Sequence, residues 1–150
     1  YKTKKQIDMK NYFHTLVLLF GGLLATGCQD IPVGYLNAEN AQYLPDTMII
    51  RLELDETEDA YRMHNLAPWV SPQLQGVIGT APLEYEVVEV KATEGGDPEL
   101  FQHLVSVRGG GRMEFPLISD ITPGRYTVSL RVWNEGHSSI IKDVFTFIVE

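Results

Sequence analysis

The chain is poor in the residues that usually announce a chemistry. It has a single cysteine, which excludes an internal disulfide and leaves the redox compartment unread from cysteine pairing. Basic residues are scarce: 12 Lys and Arg stand against 20 Asp and Glu, a formal net charge of −8. Nucleic-acid binding generally needs a basic surface facing the phosphates, so this balance argues against nucleic acid as a partner. Long apolar runs are missing as well. The longest, Leu16 to Gly27, has 12 residues, whereas a spanning helix needs about 17 to 25.

Site patterns are equally sparse. Of the four histidines, His14 lies in that apolar N-terminal segment, and His64, His103 and His137 are too far apart for a metal-ligand spacing. No G-x-S-x-G elbow occurs, and His137 beside Ser138 is a sequence neighbour pair, which seldom forms a base and its nucleophile. The glycine run in RGGGR, 108–112, lacks the following Lys of a phosphate-binding loop. An alternating segment succeeds it, so it reads as a connection rather than an anion cradle. The acidic run DETED, 55–59, lacks the central Gly and the twelfth-position Glu of a calcium loop, and reads as a solvated loop. Glu84 and Glu86 are carboxylates on one outward strand face, a surface pair rather than a glycosidase pair. Together these absences predict a non-enzyme without cofactor or metal.

What is present begins with a core. Hydrophobic residues make up 44% of the 150 residues, enough to fold one domain and too many for a disordered acidic tail. Near the N-terminus, MKNYFHTLVLLFGGLLATGC, 9–28, combines a positive start at Lys10, an apolar stretch and small residues at Ala25, Thr26 and Gly27. That order is the pattern of a secretory signal. A buried core helix is the competing reading, but Gly21 and Gly22 in its middle would each cost about 0.5–1 kcal/mol.

The ending LATGC resembles the lipobox of bacterial lipoproteins, with Gly27 and Thr26 matching and Ala25 standing where that family usually has Leu. The resemblance implies that Cys28 is lipidated and becomes the mature N-terminus, against the alternative of an ordinary signal peptide. Residues 1–8, YKTKKQID, then read as an upstream extension. Maturation would remove Lys2, Lys4, Lys5, Lys10 and Asp8, leaving 8 basic and 19 acidic residues, a net of −11. Such a body is not drawn to anionic lipid, so attachment to the membrane would rest on acyl chains such as palmitate.

Residues 28–45 show no clean period and are read as a tether, with a short edge strand at most. From residue 46 the pattern is one of strands. TMIIRLELD, 47–55, alternates through Met48, Ile50, Leu52 and Leu54. A strand over 73–78 follows a proline-punctuated loop. LEYEVVEV, 83–90, alternates and then slips phase, which predicts a β-bulge near Val87 and Val88. LFQHLVSV, 100–107, fits either a strand or a short helix, with its length and flanking glycines leaning to strand. Met113, Phe115 and Leu117 share an inward face, as do Tyr126, Val128, Leu130 and Val132, and again Phe145, Phe147 and Val149. Pro123–Gly124 suits the centre of a type II turn.

These elements predict an all-β fold, an antiparallel β-sandwich of about seven strands over residues 46–150. APLEYEVV, PGRYTVSLRVWNEG and FTFIVE resemble strands of the immunoglobulin-like and fibronectin-type modules on bacterial surface proteins. That resemblance covers about residues 76–150 and implies an immunoglobulin-like sandwich with Tyr126 at a sheet corner. The whole chain resembles small outer-membrane lipoproteins of Bacteroidetes. This implies a protein of the outer membrane, held by its lipid and facing either the periplasm or the cell surface, that partners another envelope protein as an accessory or scaffolding module. Two alternatives stay open. A carbohydrate-binding module would need exposed rings for a glycan, for which Tyr61, Trp69 and Trp133 are the candidates. A fimbrial or adhesin subunit would need an open groove or a donated strand.

Overall fold

The computed structural model describes residues 33–150. The signal, the lipobox and Cys28 lie outside the described residues. Nine strands occur among them: β1 (Leu36–Asn37), β2 (Thr47–Ile50), β3 (Trp69–Val70), β4 (Ile78–Gly79), β5 (Glu84–Ala92), β6 (Ser106–Arg108), β7 (Arg112–Phe115), β8 (Gly124–Trp133) and β9 (Ser138–Val149). Two short helices, α1 (Ala60–Asn65) and α2 (Pro98–Leu104), interrupt them. The fold is all-β and sandwich-like. A four-stranded sheet runs in the order β2-β9-β8-β5, a three-stranded sheet in the order β3-β7-β6, and β1 and β4 form a separate ribbon.

The expected alternation builds the core. Tyr126, Val128, Leu130 and Val132 of β8 are buried, as are Phe145, Phe147 and Val149 of β9 and Met113 and Phe115 of β7. The bulge in β5 falls where the phase slips, with the pairing register to β8 shifting between Val87 and Glu89. A second irregularity lies between β8 and β9: Val128 pairs with Phe145, and Leu130 with Ile141. Asp143 takes up the extra length with a φ of 49°, accepts Lys91 Nζ at 2.8 Å and donates its own N–H to the Ser129 hydroxyl at 3.0 Å.

Several expectations are corrected. The sheets are not wholly antiparallel, because β2 pairs with β9 in parallel. Alternation reports which face is buried, not which way a strand runs. The strand expected over 47–55 ends at Ile50. Of the strand expected over 73–78 only Ile78 lies in a named strand, β4. Most of 100–107 is helix: Asp97 accepts the Leu100 N–H at 2.9 Å and Pro98 opens the first turn, the pairing of cap and proline that starts helices. Its reward is Phe101, fully buried between Phe115 and Tyr126, with ring centroids 4.8 and 4.5 Å away and near-parallel planes. Gly124 has an extended φ of 158° and begins β8, whereas a type II turn would need about +80° there.

Part of the segment read as a tether makes contacts with the strands. Leu36 and Asn37 pair with Gly79 and Ile78, Gln42 bridges to Gln75, and Tyr43 is buried with its hydroxyl donating to the Gly111 carbonyl. Burial, and then Tyr85 nearby, pushes the Tyr43 phenol well above its ordinary pKa. The glycine run that receives it turns β6 back into β7. Gly110 and Gly111 have φ of 75° and 71°, and a Cβ on Gly111 would lie 2.8 Å from that of Leu74, so other residues fit poorly there.

Candidate functional site

The three rings proposed for stacking do not form one platform. Tyr61 stands on α1 and is 77% exposed. Trp69 lies in β3 opposite Phe115 and is only 6% exposed. The Arg62 guanidinium covers its ring, 4.0 Å from the centroid, and donates to the Pro68 carbonyl at 2.6 Å. Trp69 is therefore a core residue whose ring lies under a cation. Trp133 ends β8 and is half-buried. Arg131 lies 4.6 Å over its ring and is itself held by Glu86 at 2.8 Å. One face of that ring is occupied by a paired arginine. Among the described residues no two of these rings stack on one another.

The acidic run is a structural device. Arg51 donates through Nε and Nη2 to the two carboxylate oxygens of Asp59, at 3.0 and 2.7 Å, and Asp59 is buried. The reading of this run as a solvated loop fails at that residue, because the partly exposed Arg51 and the Asp55 N–H satisfy the buried carboxylate. Asp55 accepts the Thr57 and Glu58 N–H groups, both at 2.8 Å. Those bonds hold its carboxyl below the usual range, and the Arg51 fork does the same for Asp59. Among the described residues no group of three or more His, Cys, Asp or Glu is placed to hold a metal ion, and no helix is long and apolar enough to cross a membrane.

Two concave regions remain. A cleft of about 480 Å³ lies between β5 and α2, where Glu86, Glu99, Gln102 and His103 meet Tyr85 and Val87. Its Glu86 is already paired with Arg131. The second region runs along β9. On one side β9 is paired with β8 over most of its length, but on the other β2 reaches only Thr146 to Val149. From Ser138 to Val144 that outer edge faces the segment 36–46 across two adjoining hollows of about 540 and 410 Å³, which share Ala41, Ile141 and Lys142. Among the described residues no backbone hydrogen bond crosses from 138–144 to that segment. A strand edge with unpaired N–H and C=O groups can accept another extended chain. Sequence reading missed this edge, because the point where β2 stops pairing with β9 is recorded by no pattern within β9 itself.

Comparison with protein-family models, with curated proteins and with solved structures gives no match. The resemblances drawn above thus rest on this chain's own residues.

Proposed function

We propose that this chain is a lipid-anchored protein of the bacterial outer membrane, with an immunoglobulin-like β-sandwich that serves a cell-envelope complex as a non-enzymatic accessory or scaffolding module. The lipobox-like LATGC ending at Cys28 supports the anchor. Two features support the immunoglobulin-like reading. The strand orders β3-β7-β6 and β5-β8-β9 follow the B-E-D and C-F-G orders of that architecture, with β2 added beside β9. Tyr126, near the start of β8, donates its hydroxyl to the Thr122 carbonyl at 2.8 Å, the geometry of a tyrosine corner.

The observation that carries the docking role is the unpaired edge of β9 at Ser138–Val144, walled by residues 36–46. An extended segment of a partner protein laid there would continue the line of β2 and gain main-chain bonds along Ile140 and Ile141. The carbohydrate-binding reading is the weaker one, since Trp69 is covered and Trp133 carries Arg131.

The test has two arms. Mass spectrometry of the mature protein is expected to give an acylated N-terminal Cys28, and a Cys28→Ser variant is expected to leave the membrane fraction. A photo-crosslinking residue at Ile140 is expected to trap one discrete envelope protein in cells, whereas the same residue at Ile118 traps none. A ladder of self-adducts at Ile140 would favour the fimbrial alternative, and equal labelling at both positions would remove the docking edge.

A further inference from the structure

The first described residues are clamped to one end of the body. Gly34 places its carbonyl 2.8 Å from His137 Nε2. Tyr35 donates its N–H to Thr80 Oγ1 at 3.2 Å and accepts the Thr80 N–H at 3.0 Å. The buried Asn134 ties all three pieces together. Its Nδ2 donates to the Tyr35 and Thr80 carbonyls at 2.9 and 3.1 Å, while its Oδ1 accepts the N–H groups of Gly136 and His137. The chain therefore joins the body at the turn between β8 and β9.

That fixed point bears on the anchor. Gly34 is six positions along the chain from Cys28, and six such steps span at most about 20 Å however they are arranged. A flexible chain of that length has ends roughly 13 Å apart. A domain of this size is about 35 Å across. A lipid on Cys28 would hold the Asn134–His137 end close to the membrane, with little room for other parts of the body to replace it.

The surface at that end has a matching character. Strands β1 and β4 pair Leu36 with Gly79 and Asn37 with Ile78, so alternation puts Tyr35 and Asn37 on the same ribbon face as Ile78 and Thr80. Tyr35 is 55% and Ile78 61% exposed, with Val33 exposed beside them, while Leu36 and Gly79 on the other face are half-buried. A tyrosine with neighbouring aliphatic groups suits the headgroup level of a bilayer, where a ring has one apolar and one wet end. Basic residues are few in the whole body, and Glu135 is exposed in the turn itself. Anionic lipid is thus disfavoured, and zwitterionic headgroups are the fitting chemistry.

We infer that the outward face of the β1–β4 ribbon, with Tyr35 and Ile78 at its centre, rests on zwitterionic lipid headgroups and sets the orientation of the body on the membrane. This rests on the reading of Cys28 as lipidated. The experiment uses the full chain processed in bacteria, carrying Ile78→Cys or Ile118→Cys labelled with an environment-sensitive fluorophore. Ile118 is also exposed and lies in the loop before β8, near the far end of a ten-residue strand, about 30 Å away. Tyr35→Cys is the second ribbon probe in case the Ile78 variant folds poorly.

In vesicles of phosphatidylethanolamine and phosphatidylcholine containing a shallow spin-labelled lipid, quenching at position 78 or 35 is expected to exceed that at 118 several-fold. Exchange of half the lipid for phosphatidylglycerol is expected to reduce that difference. An acylated Cys28 with equal, water-like emission at all three positions would overturn this inference and leave the anchor standing. An N-terminus without acyl chains would overturn both. Shielding of position 78 that persists with no quenching by lipid would assign the face to a protein partner instead, and also overturn it.

Discussion

Between Gly124 and Val149, one irregularity apart, the chain is periodic: β8 buries Tyr126, Val128, Leu130 and Val132, β9 buries Phe145, Phe147 and Val149, and the two strands pair along most of their length. Between Arg51 and Leu83 it is not. That stretch contributes two strands of two residues each and one short helix, and its buried groups arrive singly. Here a polar set does what pairing does in the hairpin. Arg51 grips Asp59, Arg62 covers Trp69 and holds the Pro68 carbonyl, and Ser71 accepts the Met113 N–H on its hydroxyl at 2.9 Å. The comparison teaches that one half of this body is specified by periodicity and the other by particular partners.

The difference is open to direct attack. The largest effect is expected at Phe147, which packs against Phe101, Phe115 and Phe145 with centroids 5.2, 6.5 and 4.9 Å away. Phe147→Ala is expected to cost about 3–5 kcal/mol, read from urea unfolding of residues 33–150 followed by circular dichroism. The same truncation at the partly exposed Val70 in the irregular half is expected to cost about 0.5 kcal/mol. Equal losses would mean that the two halves are packed alike.

The irregular half should instead be the part that acid loosens. Asp59 has a folded pKa lowered first by its bond from Arg51, and Asp55 one lowered first by the Glu58 and Thr57 N–H groups. A lowered folded pKa means that the unfolded chain binds more protons in the interval, so this stabilisation is full above the unfolded value of about 3.9 and is lost as pH falls through the lower folded value. The urea midpoint is expected to drop steeply below pH 4, and Asp59→Asn is expected to flatten that drop. An unchanged slope in the variant would show that other carboxylates control acid sensitivity.

A smaller change sharpens the corner between the halves. The Tyr126 hydroxyl donates to the Thr122 carbonyl and accepts the Asp97 N–H at 3.3 Å. Tyr126→Phe keeps the ring stacked on Phe101 and removes those bonds together with the 3.0 Å contact to the Thr122 hydroxyl. It is expected to cost about 1–2 kcal/mol, with unfolding still a single transition. A loss as large as that of Phe147→Ala would place the corner's contribution in its position rather than in its bonds.

What could be read from the sequence divides along the same line. The inward faces of β7, β8 and β9 and the β5 bulge were legible because a two-residue period maps directly onto burial. Helix α2 had its signal in Asp97–Pro98, but those residues also sit in a glycine-rich turn cluster, and the apolar residues after them fit a strand equally well. Tyr43 offered no signal, since its burial depends on the distant Gly111 carbonyl. Asp59 looked like any other member of an acidic run until Arg51 was brought beside it. For the candidate site, Trp69 and Trp133 were legible as aromatic residues but not as rings already covered by Arg62 and Arg131. The free edge of β9 depends on where β2 stops, which no pattern within β9 records.

Truncation at Trp133 is expected to have a far smaller effect on stability than at Phe147, and it bears on the glycan alternative. Its ring is half-buried at a strand end and contacts Arg131, a pairing worth about 1 kcal/mol or less at such a site. Trp133→Ala is expected to shift the urea midpoint by no more than that. A single ring freed for a sugar would contribute about 1–3 kcal/mol, taking base stacking as the guide, which alone corresponds to millimolar binding or weaker. Trp69 cannot add a second ring while Arg62 lies over it, and Tyr61 stands exposed on α1 without stacking on either. A glycan array followed by calorimetry is therefore expected to show no micromolar ligand for residues 33–150. Arg131→Ala uncovers the Trp133 face without removing the ring, so it discriminates between a blocked platform and the lack of one. If that variant gained micromolar affinity for an oligosaccharide, and Trp133→Ala abolished it, the arginine would be a gate on a sugar site and the carbohydrate-binding reading would displace the docking one.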